Sequence, residues 1–137
     1  MHVKEVMSRD VTAVGPDASL FEIAELMRDE DIGTVLVTEN YHLLGVVTDR
    51  DMVIRALAER RNVQTVKARD VMSNALVCCT EDTPVEDVLS EMAQVQVRRI
   101  PVINAAQHVV GVVSLGDLSQ EKAKSAGDAL RVISQPH

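Results

Sequence analysis

The chain has 137 residues, of which 46% are hydrophobic and 26% are charged, which is ordinary for a folded protein with one small core or two halves sharing one. The net charge of −7, with one Phe, one Tyr and no Trp, argues against nucleic-acid binding, which normally needs a basic surface. No apolar run is long enough to span a bilayer, and no signal peptide is recognised. The two cysteines are adjacent and cannot easily form a disulfide with each other, which suits a reducing compartment. A cytoplasmic location is therefore expected.

An internal repeat organises the chain. Val6-Met7-Ser8 recurs as Val71-Met72-Ser73 at an offset of 65, and Gly45-Val46-Val47 recurs as Gly111-Val112-Val113 at an offset of 66. The extra residue falls between two apolar runs, where a hairpin loop accepts an insertion. The predicted segments are repeat 1 at 1–62, repeat 2 at 63–120 and a C-terminal tail at 121–137.

The same elements are predicted in both repeats. Thr12 to Val14 is a short strand, and a helix with apolar residues at helical spacing follows the predicted N-cap Asp17. The runs Thr34 to Thr38 and Leu43 to Thr48 form a hairpin, and a helix follows from Asp49 to about Arg60. The second repeat has a strand at Val77 to Cys79, a helix after the N-cap Asp82, strands at Ile100 to Ile103 and Val109 to Ser114, and a helix from Leu115 to about Lys124.

Each repeat is therefore predicted to be a β-α-β-β-α unit that is too small to bury both faces of its sheet alone. We expect an α/β (α+β) fold in which two tandem repeats pack about a pseudo-two-fold axis and leave two clefts where their strand ends face each other. The tail from about Ala126 has some helical character before Pro136.

The junction after the second hairpin strand carries the most chemistry. Its pattern is Gly, two apolar residues, Ser or Thr, two further residues and Asp, and it occurs twice. Alternation places Val46 and Thr48 on one face, and the carboxylate of Asp51 could take both hydroxyls of a ribose. The helix amides would favour a phosphate nearby. The same pattern is also a helix capping box, and the two roles are compatible.

The chain resembles the CBS-domain pair, or Bateman module, over about residues 1–120. Five segments carry the resemblance: Val6-Met7-Ser8, Asp31-Ile32-Gly33-Thr34-Val35-Leu36-Val37, Gly45-Val46-Val47-Thr48-Asp49-Arg50-Asp51, Val97-Arg98-Arg99-Ile100-Pro101-Val102 and Gly111-Val112-Val113-Ser114-Leu115-Gly116-Asp117.

The resemblance implies that the chain binds an adenine nucleotide as a regulatory ligand, with AMP as the favoured one among AMP, ADP and ATP. It implies no obligatory cofactor. It implies that Asp51 and Asp117 bind ribose hydroxyls, and that Thr48 and Ser114 bind ribose or α-phosphate. It implies that four residues flank the adenine ring, namely Val46, Val112, Thr34 and Ile100. It implies that phosphate is bound by Arg98 and Arg99. Strand alternation makes it improbable that both arginines face one cleft, so at least one is expected to be an ordinary solvated charge.

The two copies of the junction differ. After its hydroxyl residue the first copy has Asp49-Arg50, whereas the second has Leu115-Gly116. A carboxylate at Asp49 repels a phosphate unless Arg50 offsets it, and Gly116 allows close approach of the backbone. The hypothesis is that the Ser114/Asp117 site binds nucleotide more tightly.

Other residue patterns predict little chemistry. No His or Cys pair has zinc-like spacing, so His42 and His108 are expected to be solvent-exposed turn residues, and at least one of Cys78 and Cys79 is expected to be buried. We find no nucleophile–base pair and no phosphate-binding Gly-rich loop, so an enzyme is not expected.

The leading interpretation is a regulatory sensor. It would form a homodimer through the helices after Asp17, Thr48, Asp82 and Ser114, and it would act through association with an unidentified protein partner. The alternatives are a ligand-independent dimerisation or docking scaffold and, third, a metal-dependent enzyme.

Overall fold

The β-branched run of the first repeat forms the centre of a three-stranded sheet. The computed structural model describes residues 1–74 and 77–120 of the chain. In the first part, β2 (Thr34–Glu39) pairs antiparallel with β3 (His42–Thr48), and β1 (Ala13–Val14) adds to β2 in parallel. The strand order is therefore β1-β2-β3.

Two helices accompany this sheet. α1 (Leu20–Glu30) connects β1 to β2, and α2 (Asp49–Met52) begins directly after the last residue of β3 and continues as a π-helical turn over Val53–Leu57. The sequence predicted one regular helix to about Arg60. The observed helical part ends at Leu57, and its second half is π-helical rather than α-helical. The first repeat has the predicted β-α-β-β-α order.

The second repeat follows the same order. Its leading helix α3 (Ala68–Val71) precedes β4 (Cys79–Thr80), α4 (Val85–Val95), β5 (Arg99–Ile103) and β6 (Val109–Ser114), and residues 115–120 are helical. β4 pairs in parallel with β5, and the sheet order β4-β5-β6 repeats that of the first sheet. The predicted mixed fold of two equivalent β-α-β-β-α repeats is thus confirmed. The predicted tail lies outside the described residues.

The predicted helix N-caps were wrong by two residues. Ser19 caps α1, because its hydroxyl accepts a hydrogen bond from the amide of Glu22 at 3.1 Å, and Pro84 occupies the cap position of α4. Asp17 instead binds the Arg69 guanidinium and lies 3.7 Å from the Lys67 ammonium. The hydrogen bond from Arg69, helped by the charge of Lys67, lowers the pKa of the Asp17 carboxyl.

Asp82 has a similar role. Its carboxylate lies 3.3 Å from the ammonium of Lys4, which is 78 residues earlier in the sequence. Both aspartates therefore bind cations that are distant in sequence rather than the first helical turn, and no local pattern reports such a partner.

Each sequence repeat contributes its own set of buried hydrophobic side chains. In the core of the first sheet, the side chains of Ile23, Val35, Val37, Val47 and Val71 are fully buried. The equivalent set in the second half is Val88, Met92, Ile100, Val102 and Val113. Cys79 is also buried there, and burial, with a smaller contribution from the charge of Cys78, raises the pKa of its thiol to about 11. The expectation that at least one cysteine is buried is confirmed.

The chain forms two packed units, and the leading segment of each sequence repeat belongs to the unit that contains the sheet of the other repeat. One unit combines Met1–Asp10 with Cys78–Asn104 and the described residues from Val110 onward, and the other combines Val11–Val77 with Ala105–Val109. Within the former, Ser8 and Val112 exchange two backbone hydrogen bonds of 2.8 and 2.9 Å. The division at residue 62 therefore describes the sequence repeat and not the boundary between packed units.

Candidate functional site

The first candidate site lies where β3 ends and α2 begins. The Thr48 hydroxyl accepts a hydrogen bond from the Asp51 amide at 3.0 Å, and Asp51 Oδ2 accepts one from the Thr48 amide at 2.9 Å. The capping box anticipated from the sequence is therefore formed. It fixes a hydroxyl and a carboxylate side by side, in a partly buried position at the start of a helix.

The second candidate site repeats this geometry. The Ser114 hydroxyl accepts from the Asp117 amide at 3.0 Å, and Asp117 Oδ2 accepts from the Ser114 amide at 3.3 Å. The Leu115 amide donates to the Arg98 carbonyl at 2.7 Å, which corresponds to the bond of 3.0 Å from Asp49 to Gly33 in the first copy. Each site is thus held in place by its own sheet.

Apolar side chains lie next to each hydroxyl on the same strand face. In β3, Val46 and Thr48 are partly buried and alternate with the fully buried Val47. Thr34 is directly opposite Thr48 on β2, and Leu36 is directly opposite Val46. Opposite residues of an antiparallel pair share a face, so Thr34 lies on the face of the predicted site. Leu36 lies on that face too, with a side chain that is 5% exposed, and the sequence analysis did not select it.

The second strand face differs at one predicted residue. Val112 is partly buried and pairs with Ser8, whereas the side chain of Ile100 is 1% exposed and belongs to the core. That the Ile100 side chain flanks a bound base stays a prediction, made for a side chain that packs in the core. Ile100 corresponds in the repeat to the buried Val35, and Thr34 corresponds to Arg99, so the alternation of the strand separates the two predictions.

Two arginines lie at the start of β5, and the backbone of one of them is bonded to the second junction. Arg98 and Arg99 are both exposed, and neither forms a salt bridge with another residue of the described ranges. Gly116 stands close to the site, because a Cβ there would lie 3.7 Å from the Ser114 hydroxyl. The second copy thus has one carboxylate and one hydroxyl at the junction, with two exposed cations at the start of the neighbouring strand.

The first copy has a different charge arrangement. Asp51 Oδ1 lies 3.8 Å from the Arg55 guanidinium, which also donates to the Met72 carbonyl at 3.0 Å. Asp49 accepts a hydrogen bond from the Arg50 amide at 2.8 Å, and the Arg50 side chain is in no salt bridge within the described part of the chain. The sequence analysis missed Arg55, although an Asp and an Arg four residues apart on a helix are a known pairing signal.

Comparison with protein-family models agrees with the internal repeat. The CBS domain model matches twice, at residues 3–57 and 68–124. The chain belongs to the CBS domain family. Each match contains one complete junction of hydroxyl and carboxylate, so the resemblance inferred from the repeated segments is confirmed. A pair of CBS domains is a regulatory module.

Relatives of this CBS pair extend over nearly its whole length. The CBS domain-containing protein YhcV of Bacillus subtilis is 40% identical over 96% of this chain and 94% of its own. A crystal structure of the CBS domain protein NE2398 has a TM-score of 0.81 at 26% identity and covers 90% of this chain and 98% of its own. The CBS domain pair of protein MJ0100, solved with 5′-methylthioadenosine and S-adenosyl-L-methionine, has a TM-score of 0.77 at 24% identity, over 88% of this chain and 98% of its own. In the described part of this chain, no helix is long and apolar enough to cross a membrane.

Proposed function

We propose that this CBS pair is a regulatory sensor that binds an adenine nucleotide at the two junctions of strand and helix. The favoured nucleotide is AMP. Occupancy would shift the equilibrium between conformations or assemblies, and the change would be transmitted by association with a protein partner. Asp51 and Asp117 are assigned to the ribose hydroxyls, and Thr48 and Ser114 to ribose or α-phosphate.

The observation that carries this proposal is the bonding capacity that each capping box leaves unused. Capping occupies only one oxygen of the Asp117 carboxylate and only an acceptor site of the Ser114 hydroxyl. No other described residue is hydrogen-bonded to Asp117 Oδ1. A carboxylate oxygen accepts from a ribose diol, and a hydroxyl proton can be donated to a phosphate oxygen. The cap therefore orients groups that still have hydrogen bonds to offer.

The apolar residues beside each hydroxyl suit a purine base. With so few aromatic side chains in the chain, an adenine ring would be held by aliphatic groups such as Val46, Leu36 and Val112, and by backbone. The adenosyl compounds bound by the CBS pair of MJ0100 support the choice of an adenine-containing ligand.

We further propose that the Ser114/Asp117 site is the tighter one. The first site already contains a cation on its carboxylate, Arg55, and a second carboxylate, Asp49, that repels phosphate. The second site has neither within the described residues, and Arg98 or Arg99 can meet a phosphate there. Arg50 of the first site is in no salt bridge with a described residue either, but it directly follows the repelling carboxylate of Asp49, whereas no acidic residue adjoins Arg98 or Arg99 in the sequence.

A ligand panel tests the proposal. AMP, ADP, ATP, NAD and S-adenosylmethionine, with CMP as a control of equal charge to AMP, are added at millimolar concentration in a thermal-shift assay. A ligand at 100 times its Kd adds about 2.7 kcal/mol of stability, which corresponds to on the order of 10 °C for a chain of this size. A rise with AMP but not CMP is expected. No response to any adenine compound, by thermal shift or by calorimetric titration, would refute nucleotide sensing.

A ligand-independent scaffold is the second candidate, and an exposed apolar surface favours it. Val53, Ile54 and Leu57 on the π-helical turn are 52%, 46% and 60% exposed, and Phe21 on α1 is 50% exposed. These residues lie on the helices that follow Asp17 and Thr48, where the sequence predicted a dimer interface. A second copy of the chain would bury this surface, and such burial is the main driving force of association.

The dimer is tested by light scattering on wild-type protein and on Leu57→Glu. We expect a dimer for the wild type and a folded monomer for the variant, with circular dichroism as the check on folding. Glu59→Lys serves as a control for charge change on the same segment and should remain dimeric. A monomeric wild type at high micromolar concentration would rule out the proposed interface.

A further inference from the structure

The hairpin turn of the first repeat holds a histidine in a defined position. Glu39 and His42 are directly opposite each other across β2 and β3, and Asn40 and Tyr41 form the two-residue turn between them. Both turn residues have positive φ, 53° and 67°, which is the type I′ geometry that matches the twist of the flanking strands. His42 therefore starts β3 immediately after a tight turn.

His108, from the other hairpin, meets His42 at this turn. The two residues form an isolated antiparallel bridge, and the Val109 amide donates to the Tyr41 carbonyl at 3.0 Å. Residues opposite each other in an antiparallel bridge extend their side chains from the same face. Accordingly, the imidazole centroids are 4.8 Å apart with an interplanar angle of 88°, and the Tyr41 ring lies 5.9 Å from that of His108.

We propose that His42 and His108 form a binding site for a divalent transition-metal ion. An imidazole nitrogen binds such an ion at about 2.0–2.1 Å, which places the ring centroid about 3 Å from the metal. Two rings on one ion at an angle of about 90–110° then have centroids roughly 4.5–5 Å apart. The observed 4.8 Å lies within this range, so the two rings are already separated as two imidazoles on one ion would be.

The rest of the coordination comes from water. No group of three or more His, Cys, Asp or Glu side chains is arranged for a metal in the part of the chain that the structure describes. Glu39, opposite His42 on the neighbouring strand, contributes a negative charge beside the site. Each histidine uses one ring nitrogen for the ion, and the other can keep a hydrogen bond that orients the ring.

The donor set selects the class of ion. Two imidazoles suit Cu²⁺, Ni²⁺ and Zn²⁺, with affinity for Cu²⁺ highest in the usual order of divalent ions, and exclude Mg²⁺ and Ca²⁺, which prefer oxygen ligands. The site lies at the first residue of β3, whereas Thr48 and Asp51 lie at and beyond its last residue. It is therefore separate from the nucleotide site and does not depend on that proposal.

The test uses the full chain without an affinity tag, because a polyhistidine tag would bind the same ions. Cu²⁺, Ni²⁺, Zn²⁺ and Mg²⁺ are titrated calorimetrically into wild type, His42→Gln, His108→Gln and the control His2→Gln. We expect one ion per chain in wild type and in the control. Either site variant should weaken binding by more than about tenfold, since even the outer partners of a metal ligand contribute that much. Mg²⁺ should not bind.

A spectroscopic readout identifies the ligands directly. Substoichiometric Cu²⁺ should broaden the imidazole proton resonances of His42 and His108 before any others, and acidification should reverse this, because a protonated imidazole has no lone pair for a metal. Unchanged affinity in both site variants, or first broadening at His2, would overturn the proposal. Absence of binding by Cu²⁺ to folded wild type would do the same.

Discussion

Ser114 and Asp117 are joined by two hydrogen bonds, since the Ser114 hydroxyl accepts from the Asp117 amide and the Asp117 carboxylate accepts from the Ser114 amide. Neither side chain can turn away without breaking a cap at the start of the following helix. The same pairing joins Thr48 and Asp51. Because the two caps are equivalent, any difference between the sites in ligand binding must come from their surroundings, and matched substitutions can isolate it.

Asp117→Asn and Asp51→Asn are predicted to cost similar stability but different affinity. Each weakens one capping box, which is worth about 1 kcal/mol of unfolding free energy. For AMP, Asp117→Asn should raise the Kd by at least about tenfold, the equivalent of one charge-assisted hydrogen bond, and Asp51→Asn should raise it less. Calorimetric titration and chemical denaturation of both variants measure the two effects. Equal losses of affinity would contradict the proposed asymmetry.

Gly45→Ala and Gly111→Ala are predicted to destabilise the fold. A Cβ at Gly45 would lie 2.8 Å from the Ser73 carbonyl and 2.9 Å from Met72 Sδ, and one at Gly111 would lie 2.8 Å from both the Ser8 carbonyl and Met7 Sδ. The methionines can move, but the carbonyls belong to backbone that is paired with Val46 and Val112. We expect a loss of about 1–3 kcal/mol from each substitution, measured by urea denaturation.

Gly15→Ala is the control for this pair, because nothing lies within 4 Å of a Cβ there. It should leave stability unchanged or raise it slightly by restricting the unfolded chain. If all three alanine variants had the same stability, the close approach of the leading segments would not be what requires glycine.

Cys78 is predicted to react with iodoacetamide well before Cys79 in native buffer near pH 8. The thiolate is the reactive form, and burial raises the pKa of the Cys79 thiol to about 11, so little thiolate is present. The pKa of Cys78 is also raised by burial, but its side chain is exposed. Peptide mapping by mass spectrometry follows each site, and Cys78→Ser shows Cys79 alone. Equal rates without denaturant would contradict this order.

The bonds from Asp17 to Arg69 and Lys67 are predicted to make stability sensitive to acid. The pKa of the Asp17 carboxyl is lowered in the folded state, so its contribution is present above the unfolded pKa of about 3.9 and is lost as the pH falls through the folded value. The stability difference between wild type and Asp17→Asn should therefore shrink on going from pH 7 to strong acid. It should be small throughout, and smaller in high salt, because the side chain is exposed.

Asp10→Asn removes another exposed carboxylate that forms no salt bridge with a described residue, so it controls for net charge. A pH-independent difference between wild type and Asp17→Asn would show that the ion pair with Arg69 contributes nothing to folding.

The repeat made most of the fold predictable. Once Gly45-Val46-Val47 was matched to Gly111-Val112-Val113, the periodicity of each half could be checked against the other, and both hairpins and both capping boxes were found in the expected places. These features depend on residues three or four apart or on strand alternation, which a sequence displays directly.

What the sequence could not show depends on contacts between distant segments. The partners of Asp17 and Asp82 are Arg69 and Lys4, and no local rule distinguishes an aspartate that caps a helix from one that forms such a pair. The meeting of His42 with His108 was missed because metal ligands were sought at short spacing. The repeat offset relates these two residues, and it was the available signal for the contact.

The exchange of leading segments has a consequence for how the protein is made. Met1–Asp10 is synthesised long before its backbone partner Val112 in β6, because about 100 residues separate Ser8 from Val112. The unit that contains both can complete its packing only after β6 has emerged, whereas Val46 and Ser73 are available to each other much earlier. Closing so long a loop is slow compared with local pairing, so the half with β3 should complete its packing before the half with β6.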